Sequence, residues 1–143
     1  MITVRISLPN GQMIEFDALS YSHGVAMPLT CDGESRTLPA GKAVIEDMTI
    51  SRNIDRYSPL LNRLCCEGKF FDEIVIRIGH SGTTVEGAEK NRFYHYILKN
   101  CCFTGVSVGS HDEFSPIETC RFYFKSIQWR YESNGETVYE VWD

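Results

Sequence analysis

The sequence predicts a mainly β protein, antiparallel and built as a sandwich or closed barrel, with a single short helix. Three observations carry this. Seven or eight segments alternate apolar with polar residues; clusters of Gly, Pro, Asn, Asp and Ser separate them at regular intervals; and one segment alone combines helical spacing with start and stop signals. The aromatic share, 12%, leans the same way.

Taken in order, Met1–Leu8 alternates as a strand, Pro9-Asn10-Gly11-Gln12 reads as a turn, and Met13–His23 resumes alternation with Ile14, Phe16, Ala18 and Ser20 on one face. This predicts a hairpin. From Gly24 to Gly41 the composition shifts to Pro, Gly, Ser and Thr, which predicts a long loop. Lys42–Ile54 carries a third strand whose faces are not cleanly separated.

The helix follows. Ser58 is placed to cap free N–H groups, Pro59 suits the first helical position, Leu60, Leu61, Leu64 and Cys65 share one side, and Gly68 supplies a left-handed stop. Phe70–Gly79 reads as an apolar strand and Gly79–Ala88 as a loop. Asn91–Lys99 and Cys101–Val108 read as two strands, Gly109–Pro116 as a turn region, and Glu118–Glu132 as one long strand. In the last, the apolar phase switches between Phe124 and Ile127, which predicts a bulge or bend near Lys125-Ser126. Ser133-Asn134-Gly135 marks a hairpin turn, and Thr137–Trp142 is the final strand.

Composition narrows the function. With 143 residues the chain fits one domain spanning 1–143 that can build its own core. The formal net charge is −5 and the 14 Lys and Arg form no run, which argues against nucleic acid and anionic membrane as partners. The alternating N-terminus lacks the apolar core of a signal peptide, and no stretch approaches the length of a membrane span. A cytosolic chain is expected, with its six cysteines as free thiols behaving as small buried hydrophobes.

The residues that could carry chemistry do not assemble into a signature. The pairs Cys65-Cys66 and Cys101-Cys102, with His80, His95 and His111, suggest a zinc set, but adjacent cysteines on a helix or strand point in different directions and no C-x-x-C pair is present. No local pattern singles out a nucleophilic cysteine, although Cys66 would be the more exposed of the helix pair. Glu46-Asp47 and Asp112-Glu113 read as solvated neighbours, and Gly79-His80-Ser81-Gly82 lacks a phosphate-loop lysine. The expectation is a binding or assembly protein with no catalytic, cofactor or metal residues, not an enzyme.

Two blocks of sequence add a resemblance. Gly41-Lys42-Ala43-Val44-Ile45-Glu46-Asp47-Met48-Thr49-Ile50, then Asp55, Ser58-Pro59-Leu60 and Leu64-Cys65-Cys66-Glu67-Gly68-Lys69, with Phe71-Asp72-Glu73-Ile74-Val75-Ile76 after them, resemble the central segment of the Hcp (haemolysin-coregulated protein) family of the bacterial type VI secretion system. Pro116-Ile117-Glu118-Thr119, Phe122, Tyr123, Lys125-Ser126-Ile127-Gln128-Trp129 and Trp142-Asp143 resemble its last strands. Pro9-Asn10-Gly11-Gln12 is shorter than the family's usual insertion, and Ser20-Tyr21-Ser22-His23 replaces a stretch richer in tryptophan.

The resemblance implies a two-sheet antiparallel β-barrel with one flanking helix. It also implies hexameric rings that stack into a tube inside a contractile sheath, beneath a VgrG spike, with small effector proteins carried in the lumen. Such a chain would be exported by the secretion system without a signal peptide. Ser20 and Ser22 are then the expected lumen or effector contacts, and Met27, Leu29 and Leu38 of the long loop the expected contacts between stacked rings. Two other readings compete. A non-polymerising adaptor or effector-binding carrier would differ only in its stacking surface; an enzymatic effector would be expected to carry a catalytic extension, for which a chain ending at Asp143 leaves no room.

Overall fold

The computed structural model describes residues 1–31, 37–39, 43–81, 91–110, 116–133 and 136–142. The elements in chain order are β1 (Ile2–Ser7), β2 (Met13–Ala18), β3 (Ser20–Ser22), β4 (Val25–Ala26), β5 (Leu29–Cys31), β6 (Thr37–Pro39), β7 (Val44–Ile45) and β8 (Met48–Asn53). The helix α1 (Ser58–Glu67) comes next, then β9 (Phe71–Ser81), β10 (Asn91–Gly109), β11 (Ile117–Ser133) and β12 (Glu136–Trp142). Every pairing is antiparallel.

Eight strands form one sheet in the order β2-β1-β9-β10-β11-β8-β3, with β12 also on β11. A line of three-residue steps divides it into two leaves. In an unbroken strand, buried residues recur every second position. Here they recur after three at one level on three neighbouring strands: Phe71 then Ile74, Leu98 then Cys101, Phe124 then Ile127. These positions face one another in the ladders, Cys101 opposite Phe71 and Phe124, Leu98 opposite Ile74 and Ile127. Asn100, between the steps of β10, is the one described non-glycine residue with positive φ, at 55°. Its left-handed backbone turns the wall by one residue.

One leaf therefore holds β1, β2, β12 and the parts of β9, β10 and β11 beside them, and the other holds β8, β3 and the far halves of β10 and β11. The leaves meet again where β2 runs into β3. Leu19 interrupts that strand, donating its N–H to the Ser51 carbonyl at 2.7 Å. Among the described residues the hydrogen-bonded ladder does not itself close, but its two ends are consecutive pieces of one chain. The two-sheet, barrel-like arrangement with a flanking helix agrees with the architecture expected from sequence.

Between the leaves lies one apolar cluster including Val4, Ile6, Ile14, Phe16, Met48, Ile50, Ile74, Ile76, Leu98, Phe122 and Ile127. The helix adds Leu61 and Leu64. It stops at Gly68, φ 61°, whose N–H reaches the Leu64 and Cys65 carbonyls, as a left-handed cap requires.

Several local expectations are corrected. Ser58 is not the helix cap. Tyr57 holds that position, and Ser58 turns inward, its hydroxyl accepting from the Asp55 N–H and from Arg52. The break at Leu19 shifts the phase of the second strand, so Tyr21 rather than Ser20 follows Phe16 and Ala18 on the inner side, opposite buried Ile50. The long loop contains β4, β5 and β6, with β4 pairing β7 and β5 pairing β6 as two small ribbons. Asn91–Lys99 and Cys101–Val108 are one strand, because register runs unbroken past Asn100. The bend near Lys125-Ser126 is present, but the bulge lies opposite and further along, between Phe103 and Gly105, where the Thr104 hydroxyl donates to the Arg121 carbonyl at 3.2 Å.

Candidate assembly surface

The second leaf ends on β3, whose three residues divide between two faces. Tyr21 points inward against Tyr96, ring centroids 5.7 Å apart. Ser20 and Ser22 point outward and are exposed, opposite Ser51 and Thr49 of β8, and the Ser20 and Ser51 hydroxyls are hydrogen-bonded to each other. The expected lumen serines thus belong to a row of four small hydroxyl side chains on the outer surface.

Directly after β3 the chain is anchored by His23. Its ring lies 5.6 Å from Tyr96, 5.8 Å from Phe124 and 6.5 Å from Trp129, and Nδ1 is 3.1 Å from the Glu46 carbonyl oxygen. A carbonyl can only accept, so Nδ1 carries the proton and Nε2, buried without a partner among the described residues, is the bare nitrogen of a neutral ring. Burial lowers the His23 pKa, and the hydrogen bond to Glu46 and the Glu46 charge only partly offset it. The Gly24 carbonyl accepts from Glu46 N–H at 2.9 Å. The Glu46 carboxylate folds over Gly24, where an added Cβ would stand 2.8 Å from Oε2, so a larger residue there would displace this exposed carboxylate.

From this anchor the chain extends as the β4–β7 ribbon. Val25 is 53% exposed, Met27 47%, Leu29 56% and Val44 51%, a concentration of bare apolar side chains within one short arm. Met27 and Leu29, expected from the sequence, lie here together. Leu38 is on β6 opposite Thr30, and its side chain lies outside the described residues. Sequence reasoning missed Val25 and Val44, because a two-residue strand carries no period to read.

A recess of about 300 Å³ opens beside Tyr21 and is lined by Tyr94, Tyr96, Phe93, Tyr131 and Ile78 among others. Burial, with Tyr21 and Tyr94 adding to it, pushes the Tyr96 hydroxyl up to about 12, so it stays protonated and neutral.

Away from this surface, the residues behind the resemblance converge on a buried ion pair. Arg52, 1% exposed, donates to Glu118, 0% exposed, at 2.6 Å, to Ser58 at 3.3 Å, and pairs with Asp55. Its guanidinium lies 4.1 Å over the Phe16 ring. Burial works against the Arg52 charge, but the hydrogen bonds and charges of Asp55 and Glu118 outweigh it and raise the pKa. This joins β8, the start of α1 and β11 through one side chain.

Cys101 and Cys120 are buried packing residues, Cys65 and Cys102 are half-buried, and Cys66 is exposed. Cys65, Cys66, Cys101, Cys102 and Cys120 are free thiols, and burial pushes Cys101 and Cys120 each up to about 12, so neither is a thiolate. Among the described residues no group of three or more His, Cys, Asp or Glu side chains could hold a metal ion. Nor, among them, is any helix long and apolar enough to cross a membrane.

With this geometry established, comparison with known proteins identifies the family. No curated protein sequence matches the chain. Solved structures do. Hcp1 from the E. coli EAEC 042 pathovar, in a double-mutant form, superposes with a TM-score of 0.78 at 14% identity, over 99% of this chain and 97% of that one. Secreted protein Hcp3 from Pseudomonas aeruginosa gives 0.74 at 15% identity, over the whole of both chains. A chain of the anti-feeding prophage baseplate gives 0.61 at 10% identity, covering 90% and 91%. At these identities the likeness establishes the fold. The sequence model of the family described as "Type VI secretion system effector, Hcp" matches residues 10–131. On that match, which spans most of the sequence and includes both blocks of the resemblance up to Trp129, the chain belongs to the Hcp family of type VI secretion proteins.

Proposed function

We propose that the chain, acting as a single domain over residues 1–143, is a structural tube subunit of a type VI secretion system. Six copies close into a ring, rings stack within a contractile sheath beneath a VgrG spike, and the lumen carries and protects small effector proteins. Its chemistry is shape and polar contact, with no bond made or broken. It is held in the cytoplasm before assembly and exported by the secretion machine without a signal peptide.

The observation that carries this reading is the exposed apolar arm, Val25, Met27, Leu29 and Val44, on a chain whose family is established. A surface of this kind on a soluble subunit calls for a protein partner, and we assign it, with Leu38, to the contact between stacked rings. Two features support ring closure. Among the described residues β12 pairs only with β11 and β3 only with β8, so each leaves an edge able to pair with a neighbouring copy. Ser20 and Ser22, small, polar and exposed, suit a lumen that must hold cargo without gripping it.

The test is the double variant Met27→Asp/Leu29→Asp imaged by negative stain beside the wild type. Wild-type rings that stack and variant rings that stay single would support the assignment; equal stacking by both would remove the arm from the stacking surface.

A further inference from the structure

On the outer side of the first leaf, away from the apolar arm and the serine row, Arg77, His95 and Arg130 occupy one cross-strand row. Arg77 of β9 is directly opposite His95 of β10, which is directly opposite Arg130 of β11. Side chains so placed on one face stand about 5 Å apart at Cβ, and like charges in that arrangement repel. A chain of net charge −5 has carboxylates to spare for quenching such a row. They are not used here. Among the described residues neither Arg77 nor Arg130 forms an ion pair, and Arg77 lies instead over the Phe93 ring, 3.8 Å from its centroid. Two atoms of the row, His95 Nδ1 and Arg130 Nε, are buried with no hydrogen-bond partner among the described residues. Buried polar atoms normally find one.

Beside the row is a recess of about 210 Å³, lined by Arg77, His95, Arg5, Thr3, Glu15 and Glu132 among others. Arg5 and Glu15 pair with each other at 3.4 Å, leaving Glu132 as the opposing carboxylate. We propose that this recess binds an oxyanion, the carboxylate of an acidic side chain or a free tetrahedral anion such as phosphate, held by Arg77 and His95 of its lining, with Arg130, next to His95 in the row, adding positive charge from beside it. The planar guanidinium fork of Arg77 matches both groups, an anion placed there offsets the like charges of the row, and the His95 ring can donate to it when protonated.

The site is also pH-sensitive. Burial lowers the His95 pKa, Arg130 and Arg77 lower it further, and Glu132 alone opposes them. Among these neighbours and the Arg5–Glu15 pair, a bound anion adds the negative charge that favours imidazolium, so binding takes up a proton and tightens as pH falls.

The experiment is isothermal titration calorimetry of the assembled wild-type protein with glutarate and, separately, sulfate, at constant ionic strength, near pH 6 and near pH 8. We expect saturable binding of at least one probe, tighter at the lower pH by about tenfold, the equivalent of one unit of His95 shift. Tighter glutarate identifies a side-chain carboxylate as the ligand, and tighter sulfate a free tetrahedral anion. His95→Gln should keep binding and lose its pH dependence, and Arg77→Gln/Arg130→Gln should lose binding. Should the double variant not fold, Glu132→Gln serves, with binding expected to tighten. No saturable heat from either probe, unchanged binding in a folded double variant, or weaker binding in Glu132→Gln would overturn the proposal.

Discussion

At the scale of single residues, the interior is pinned by Arg52 and Glu118. Each is buried, and one hydrogen bond of 2.6 Å joins them. Removing one member leaves the other charge stranded, which costs far more than the pair contributes. Glu118→Ala is therefore expected to lower the unfolding free energy by about 3–5 kcal/mol, read from urea denaturation, with Asp55 keeping the loss towards the lower figure. The pair was not legible as such. Arg52 stands in an irregular strand and Glu118 after a proline, and only the fold brings them together.

His23 adds a second prediction at this scale. Its pKa is lowered in the folded chain, so above the ordinary histidine value of about 6.5 both states are neutral and the native contacts are kept in full. As pH falls below that value the unfolded chain binds the proton first, and stability is lost down through the lower folded pKa. Melting temperature should therefore drop on acidification from neutral pH. His23→Phe, which keeps the aromatic packing and cannot be protonated, should show a shallower drop; an equal drop would assign the effect to other groups.

At the scale of elements, the governing feature is the line where β9, β10 and β11 change phase together. Sequence showed it on β11, from Phe124 to Ile127. The same three-residue step was present as Phe71 to Ile74 and Leu98 to Cys101, but a break read in one strand does not reveal that its neighbours break at the same level. Asn100 was read as a gap between strands for a related reason. Asn is a turn residue by propensity, and here it supplies positive φ inside a strand whose register continues. Asn100→Gly should leave stability nearly unchanged, whereas Asn100→Val should cost about 1–2 kcal/mol in denaturant unfolding, the penalty of a left-handed backbone on a branched residue.

The hairpin and the helix were readable because their signals are local. Asn10 accepts the Gln12 N–H at 2.8 Å and Gly11 takes φ 86°, as that turn requires. Gly68 ends the helix where its position predicts. Ser58 shows the limit of local reading. A residue type that often caps was drawn inward by the buried Arg52 of β8, six residues before it in the chain, and Tyr57 took the cap position instead. Of the surface residues, Met27 and Leu29 were legible as apolar positions in a polar segment, while Val25 and Val44 became visible only once β4 and β7 paired.

At the scale of the whole molecule, one property links fold to function. The chain satisfies its core internally yet leaves an apolar arm and, among the described residues, unpaired edges on β2, β3 and β12. A monomer would keep both liabilities exposed; in the proposed assembly a closed ring of copies would pair edges and stacking would cover the arm. The two contacts should be separable: substitutions on the arm act on stacking and spare the ring.

The measurement that bears most directly on this account is the mass of the purified protein by size-exclusion chromatography with multi-angle light scattering over a range of concentrations. The account predicts a main species of about six times the 16.3 kDa chain mass, whereas a persistent monomer at high concentration would contradict the tube-subunit reading and leave the family fold in place.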